Sequence, residues 1–329
     1  NTGTAMTTGF NNTLIGGNAG AAMLGATDNV LIGTYAGDAI TIGIRNVAVG
    51  TSALGAEDAH GYNVAVGHGT LQTQNAGANA YNTAVGYEAG NQISTGTNNT
   101  LIGGLAGDAL TTGSQNVAIG KKALSNEDAH GRNIAIGHNS LENLNAGADA
   151  YNVAIGYLAG QGMSTGVENV LIGGQAGDAL TTGHYNVAIG MRALSTEDAH
   201  GFNVAIGRDA LKVQNAGTNA YNTAIGYQAG LAVSTGTLNT IVGGLAGDAL
   251  TTGSSNTAIG EQSLSAETVG TYNVAIGREA LRLSTLSNKS IGIGYGALYV
   301  QANTPAAVDT YNIAIGHLAG QAVTTGVQN

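Results

Sequence analysis

One short alternation of apolar and polar positions returns along the whole chain. Residues 116–124 read NVAIGKKAL, and the pattern Asn, β-branched residue, small or apolar residue, Ile or Val, Gly occurs in nearly every copy. Alternation with period two and β-branched residues are typical of a short β-strand. The Gly that follows in all eighteen complete copies indicates a backbone requirement, such as a positive φ at a corner. We therefore predict one short strand and one corner per copy.

The copies follow one another at a nearly constant distance. With the marker Asn numbered zero, successive markers are separated by 17, 17, 17 and 19 residues, three times over. This gives a 70-residue super-repeat, and Ser290 takes the place of one marker. The predicted super-repeats are 12–81, 82–151, 152–221 and 222–289, and a longer turn containing Pro305 is predicted at 299–311.

A repeat of 17 residues is too short for a helix with two connections, but it fits one coil of a β-solenoid. A small residue at +7 and Leu or Gly at +8 indicate a second short strand after the corner. Coils stacked about 4.8 Å apart would bring the marker Asn side chains into a hydrogen-bonded ladder. We predict an all-β fold, a single parallel solenoid over 1–329 of about 18 coils.

The two faces of the strand receive different assignments. Positions +1 and +3, such as Val117 and Ile119, share one face, which we assign to the interior of the coil. Position +2 faces the other way and is mostly Ala, as at Ala118, Ala188 and Ala258. A continuous apolar stripe is not normally left in water. We expect three identical chains to place their +2 faces against a common axis, as a homotrimer.

Composition excludes several classes of protein. The chain has 54 Gly without a Gly-X-Y period, one Pro, no Cys and 9% charged residues, with a net charge of −10. The sequence has no run of Lys and Arg residues, so it does not indicate nucleic acid or an anionic membrane as a partner. The apolar runs are too short for membrane insertion, and disulfides and thiolate metal sites are excluded. Because it starts without Met and ends where a new copy begins, we expect a segment of a longer chain.

The strand motif, as in NVAIGKKAL at 116–124, resembles the head repeat of YadA-like trimeric autotransporter adhesins. The longer period, with GGLAGDALTTG at 103–113 and YGAL at 295–298, is more similar to YadA-domain structural proteins and tail fibres of marine bacteriophages. The resemblance covers essentially the whole chain and implies a trimer of left-handed parallel β-rolls. The structural repeat residues that carry it are Asn116, Val117, Ala118, Ile119 and Gly120, and Asn186, Val187, Ala188, Ile189 and Gly190.

The EDAHG segments at 57–61, 127–131 and 197–201 are the clearest candidates for metal binding. Asp58 and His60, with their equivalents in other chains, are possible ligands; the alternative is a solvated turn, which would also hold Glu197. The fourth copy, ETVGT at 267–271, lacks Asp and His, which favours the solvated turn. The GDAL segments have the wrong spacing for calcium-binding repeats. We expect no metal and no cofactor.

The sequence gives weaker signals for other types of site. IGKKAL matches one hexapeptide of the left-handed-helix acyltransferases, but those enzymes use three hexapeptides per coil, and no catalytic grouping stands out, so we expect no enzyme. Tyr residues at −1 and +5, such as Tyr81 and Tyr87, either cover coil corners or stack on sugar rings. Thr pairs occur in about two of four coils, too few for an ice-binding face.

The sequence favours a structural shaft segment of a trimeric attachment protein, at the virion surface in a phage tail fibre. The alternative is a bacterial surface adhesin of the trimeric autotransporter type, whose shaft binds host surfaces itself. A host glycan or protein receptor is the expected partner in either case.

Overall fold

A computed structural model describes residues 2–301, 307–324 and 326–329. The chain forms two compact units, Asn1–Val167 and Glu168–Asn329. In the described ranges every element is a strand of two or three residues, joined by turns, and none is a helix. The prediction of an all-β fold is confirmed. In those same ranges no helix has the length and hydropathy needed to cross a bilayer.

The first unit is a parallel β-solenoid. Each strand occupies positions +1 to +3 of its coil and pairs in parallel with the strand of the next coil, +1 opposite +1. Its strands are β1 (Thr13–Ile15), β2 (Val30–Ile32), β3 (Val47–Val49), β4 (Val64–Val66), β5 (Thr83–Val85), β6 (Thr100–Ile102), β7 (Val117–Ile119), β8 (Ile134–Ile136) and β9 (Val153–Ile155).

The second unit repeats this architecture with the same register. Its strands are β10 (Val170–Ile172), β11 (Val187–Ile189), β12 (Val204–Ile206), β13 (Thr223–Ile225), β14 (Thr240–Val242), β15 (Thr257–Ile259), β16 (Val274–Ile276), β17 (Ser287–Asn288), β18 (Ile291–Ile293), β19 (Val308–Asp309) and β20 (Ile313–Ile315). The predictions of a strand directly after each marker and of parallel pairing are confirmed; β17 and β19 are additional short strands late in their coils. That the two units form one continuous solenoid stays a prediction.

The marker Asn residues form the predicted ladder through the backbone as well as through one another. The N–H of Asn116 donates to Oδ1 of Asn99 at 2.9 Å, and the N–H of Asn133 donates to Oδ1 of Asn116 at 3.0 Å. Nδ2 of Asn116 donates to the carbonyl of His130 at 3.2 Å. Both Asn116 and Asn133 are fully buried. Each amide therefore joins two coils while satisfying buried backbone groups, which cost about 1–3 kcal/mol when left unpaired.

The assignment of the two strand faces is wrong. Ala118 and Ala188, at +2, are fully buried within a single chain, whereas their neighbours Val117 and Ile119 are only partly buried. Position +2 therefore faces the interior of the coil, and positions +1 and +3 face outward. The +1 and +3 side chains do not fit inside, because the interior of the coil is narrow and large side chains from later in the coil already fill it.

Those large side chains come from positions +8 and +11. Leu124 at +8 is fully buried, as are Met23 and Leu110 at +11. The predicted second strand is wrong for these coils, because the chain there is a run of turns and Leu124 has a φ of 52°. A left-handed residue interrupts an extended strand. The turn points the side chain inward, where it occupies the space next to +2.

The glycine corner is confirmed. Gly120, at +4, has a φ of 133°, and a Cβ there would lie 2.5 Å from the carbonyl oxygen of Gly137 in the next coil. Both the conformation and the close contact between coils require glycine.

The longer turn at 299–311 leaves the strand ladder intact. β18 pairs with β20, Ile291 opposite Ile313, and the short strands β17 and β19 pair beside them. The prediction that the coils on both sides remain stacked is confirmed. The predicted protrusion falls on residues 302–306, which lie outside the described residues.

Candidate functional site

The outer face of the strands, defined here as the residues at +1 and +3, is a row of Val, Ile and Thr side chains without a charge. Most of these side chains are half-buried in the single chain, and the more accessible ones include Ile134, which is 37% exposed, and Ile315 of the last strand, which is 68% exposed. Since consecutive strands pair in register, the exposed groups form a continuous apolar row within each unit. Such rows mark association surfaces.

Aromatic side chains flank the outer face at positions −1 and +5. Tyr185 and Phe202 at −1 have ring centroids 5.1 Å apart, and Tyr221 continues this stack at 5.0 Å. At +5, His138 stacks on Tyr157 at 5.7 Å, and Tyr157 remains 59% exposed. The rings thus contact one another between successive coils and remain partly exposed to solvent. The two interpretations of the Tyr residues, as corner covers and as sugar contacts, both remain open.

The EDAHG segments differ from the solvated turn that the sequence suggested. Glu57, Glu127 and Glu197 occupy position +11, which points into the coil, and each is fully buried. The interpretation of Glu197 as a solvent-exposed residue is therefore wrong. Burial in an apolar interior raises the pKa of all three carboxyl groups.

Each of these glutamates lies beside the histidine three residues later. Oε1 of Glu197 accepts a hydrogen bond from the backbone N–H of His200 at 3.2 Å. The imidazole Nδ1 of His200 lies 3.5 Å from the same oxygen, and neither this Nδ1 nor Oε2 of Glu197 has a hydrogen-bond partner. Asp198 completes the group, whose potential ligand atoms all lie within 4.8 Å of one another.

Within the described residues, three groups bring together three or more potential metal ligands, and all are these turns: Glu57, Asp58 and His60; Glu127, Asp128 and His130; Glu197, Asp198 and His200. The aspartates of the GDAL segments, Asp108, Asp178 and Asp248, belong to none of them. Their burial raises the pKa of each of the three carboxyl groups. Asp58 and His60 could be predicted as ligands from the sequence, but Glu57 was missed. The Met, Ile and Leu residues at +11 of other coils, such as Met23, Ile40 and Leu110, were the signal that this position is interior.

The structural repeat residues thus divide by role. Asn186 joins coils, Ala188 packs inside, Val187 and Ile189 form the outer face, and Gly190 turns the corner with a φ of 136°. Asn116 to Gly120 have the same roles.

Compared with known proteins, the chain matches no protein-family model, no curated protein and no solved structure.

Proposed function

We propose that this chain is a structural shaft segment of a homotrimeric attachment fibre, in which three chains pack their outer faces together. The observation that carries the proposal is the in-register row of Val, Ile and Thr side chains at +1 and +3, which remain partly accessible in the single chain. Removing apolar surface from water contributes roughly 25 cal/mol per Å², and the row repeats in every coil. Many small contributions along the strand ladder then add up to a stable assembly.

Several features fit a shaft. In each unit, every coil contacts its neighbours through the same kind of strand pair. A solenoid of this kind can therefore be lengthened by adding coils, without a new core. The resemblance to YadA-like head repeats supports the trimer and the left-handed coil. A phage tail fibre on the virion surface is the proposed setting, and a bacterial surface adhesin is the alternative. That the chain is not an enzyme stays a prediction.

The test is the mass of the chain in solution. Sedimentation equilibrium and light scattering of the purified, tag-free chain should give three times the 32.5 kDa of one chain. A monomer at micromolar concentration would contradict the proposal.

A second role, receptor binding by the shaft itself, is favoured by the exposed Tyr side chains at +5. Tyr87, Tyr157 and Tyr227 are 56%, 59% and 51% exposed and recur at the 70-residue interval. Amphipathic rings of this kind suit the apolar faces of sugars. A glycan array should show binding that the Tyr87→Ala/Tyr157→Ala/Tyr227→Ala variant loses without a change in mass. Equal binding by the variant and the unaltered chain would contradict this role.

A further inference from the structure

Two of the three Glu-Asp-His turns, those of Glu57 and Glu197, leave one oxygen of a buried carboxylate without a hydrogen-bond partner. The fourth super-repeat shows that this is not a requirement of the fold. Glu267 occupies the same +11 position, where Asp and His are absent. Its carboxylate accepts hydrogen bonds from five backbone N–H groups, those of Thr268, Val269, Gly270, Leu286 and Ser287, at 2.8–3.3 Å. The interior of the coil can therefore satisfy this carboxylate with backbone alone.

In the coils that carry His, fewer backbone N–H groups donate to the buried carboxylate. Oε1 of Glu57 and of Glu197 accepts the backbone N–H of His60 and His200, and Oε2 of each has no partner within hydrogen-bond distance although both side chains are fully buried. The backbone of Asp58 and the side chain of Gln214 also lower the pKa of Glu57 and Glu197, respectively, but less than burial raises it. Glu127 has one additional backbone partner, the N–H of Ala146 at 3.3 Å. An unpaired buried carboxylate is costly, because burial penalises the charged form. A cation beside it would remove this penalty.

The distance to the histidine fits a shared cation better than a hydrogen bond. The separation of Nδ1 and Oε1 is 3.5 Å in the His130–Glu127 and His200–Glu197 pairs and 3.8 Å in the His60–Glu57 pair. A nitrogen and a carboxylate oxygen are normally 2.7–3.2 Å apart when they share a hydrogen. Two ligands about 2.1 Å from one tetrahedral ion lie about 3.4 Å apart. Nδ1 has no hydrogen-bond partner in any of the three pairs, so in the tautomer that is protonated on Nε2 its lone pair is free to bind an ion.

The third ligand comes from the aspartate between them. Asp58, Asp128 and Asp198 are exposed, and each offers a carboxylate oxygen within 4.8 Å of the other two ligand atoms. The histidine side chains are 28–30% exposed, so an ion can enter from solvent and retain a water molecule as its fourth ligand. One imidazole nitrogen with two carboxylate oxygens is a donor set for zinc and similar transition metals, whereas calcium prefers oxygen ligands alone.

We propose that the three Glu-Asp-His turns are divalent transition-metal sites, each complete within one chain and each binding one zinc ion. The ion would join the buried glutamate of the coil interior to the exposed Asp and His of the turn. Since zinc binds the folded turn and not the unfolded chain, it would stabilise the coils by mass action. The proposal does not depend on trimer formation.

The test is isothermal titration calorimetry of the full, tag-free chain, stripped with chelator and titrated with ZnCl₂ at pH 7.5. We expect three zinc ions per chain, one for each turn, and a rise in melting temperature that EDTA reverses. Calcium at millimolar concentration should not compete. The His60→Ala/His130→Ala/His200→Ala variant should lose the three sites.

A matched control uses three histidines outside the turns, all at position +5. The His68→Ala/His138→Ala/His317→Ala variant should retain three zinc ions per chain. If the first histidine variant is poorly folded, the Asp58→Asn/Asp128→Asn/Asp198→Asn variant replaces exposed side chains only and should bind zinc roughly tenfold or more weakly. Nitrogen-15 NMR of the histidines should show zinc-dependent shifts at Nδ1.

Binding that is absent in the unaltered chain, or that survives in the His60→Ala/His130→Ala/His200→Ala variant, would overturn the metal sites. The mass of each sample, measured in parallel, reports separately on the trimer. A monomer that binds three zinc ions would contradict the shaft proposal and support the metal sites, and a trimer without zinc would do the reverse.

Discussion

A Cβ atom on Gly177 would lie 2.8 Å from Cδ2 of Leu171. Gly177 is at +8 and Leu171 at +2 of the same coil, so the two positions compete for one interior space. The chain respects this limit throughout: +2 is Leu or Ile only in coils where +8 is Gly, and coils with Leu at +8 have Ala or Gly at +2. The coil that begins at the marker Asn133 has the other permitted combination, with Ala135 at +2 and Leu141 at +8. Both side chains are buried, as is Leu144.

We predict that Gly177→Leu destabilises the second unit by about 1–3 kcal/mol through overpacking. Leu171→Ala alone should also destabilise, by about 2–5 kcal/mol, because it leaves a cavity. The double variant should be more stable than the sum of the two changes predicts, with a coupling of about 0.5–3 kcal/mol, since each change relieves the other. Urea unfolding followed by circular dichroism measures all three. Strict additivity would show that the two positions do not share one space.

This relationship explains both what the sequence predicted and where it failed. Strand positions, coil length, the Asn ladder and the glycine corner could be predicted because each depends on a local pattern that the chain repeats. Alternation at Val117, Ala118 and Ile119 defines two faces but does not say which one is inside. That choice depends on Leu124, six residues beyond Ala118, which enters the interior through a left-handed turn that propensities disfavour.

The prediction that the glutamates lie in solvated turns was wrong for a similar reason. A Glu followed by Asp, and His before Gly, has the composition of a solvated turn. Comparing Glu197 with Val233 and Leu250, which occupy +11 in other coils, would have placed it in the interior. The proximity of Nδ1 of His200 to its carboxylate depends on the path of the turn and could not be read from spacing.

The Asn ladder should be sensitive to the loss of one amide. Asn186→Ala removes the acceptor of the Asn203 N–H, at 3.1 Å, and the donor to the His200 carbonyl, also at 3.1 Å. Both groups would be left without their side-chain partner in a buried place, so we expect a loss of roughly 2–4 kcal/mol in unfolding free energy. Chemical denaturation should detect it.

The control for this variant is Asn215→Ala, which changes an exposed Asn of a turn in the same unit and should alter stability by less than about 0.5 kcal/mol. Ser290 shows how the natural chain tolerates a shorter side chain: its hydroxyl contacts Thr310 and accepts a hydrogen bond from Gln301 at 2.9 Å. Equal stability of the Asn186→Ala and Asn215→Ala variants would mean that the ladder contributes nothing measurable.

Asp178 should make stability depend on pH. Burial raises the pKa of its carboxyl group above the ordinary value, and its Oδ1 has no hydrogen-bond partner. The folded state therefore holds a proton that the unfolded state has already released, and stability falls as pH rises from the unfolded pKa through the raised folded pKa. Asp178→Asn should melt at a higher temperature than the unaltered chain at pH 7 and at a similar temperature at pH 3. Scanning calorimetry across this range measures the difference, and a less stable Asn variant at pH 7 would show that the charged form is favoured.

The corrected orientation of the strand gives the sharpest test of the trimer. Ile134 is 37% exposed on the outer face, so Ile134→Glu places a charge where a single chain tolerates it but a trimer axis does not. Burying several like charges together without partners costs several kcal/mol for each ion. We expect this variant to sediment as a folded monomer, with strand content unchanged by circular dichroism.

Asn143→Glu, on an exposed turn of the same coil, should remain trimeric. Ala135→Glu should instead lose folded structure near that coil, because its side chain has no space inside. If Ile134→Glu sediments as a trimer of unchanged melting temperature, the outer face is not the axis, and the exposed apolar row must meet a different partner.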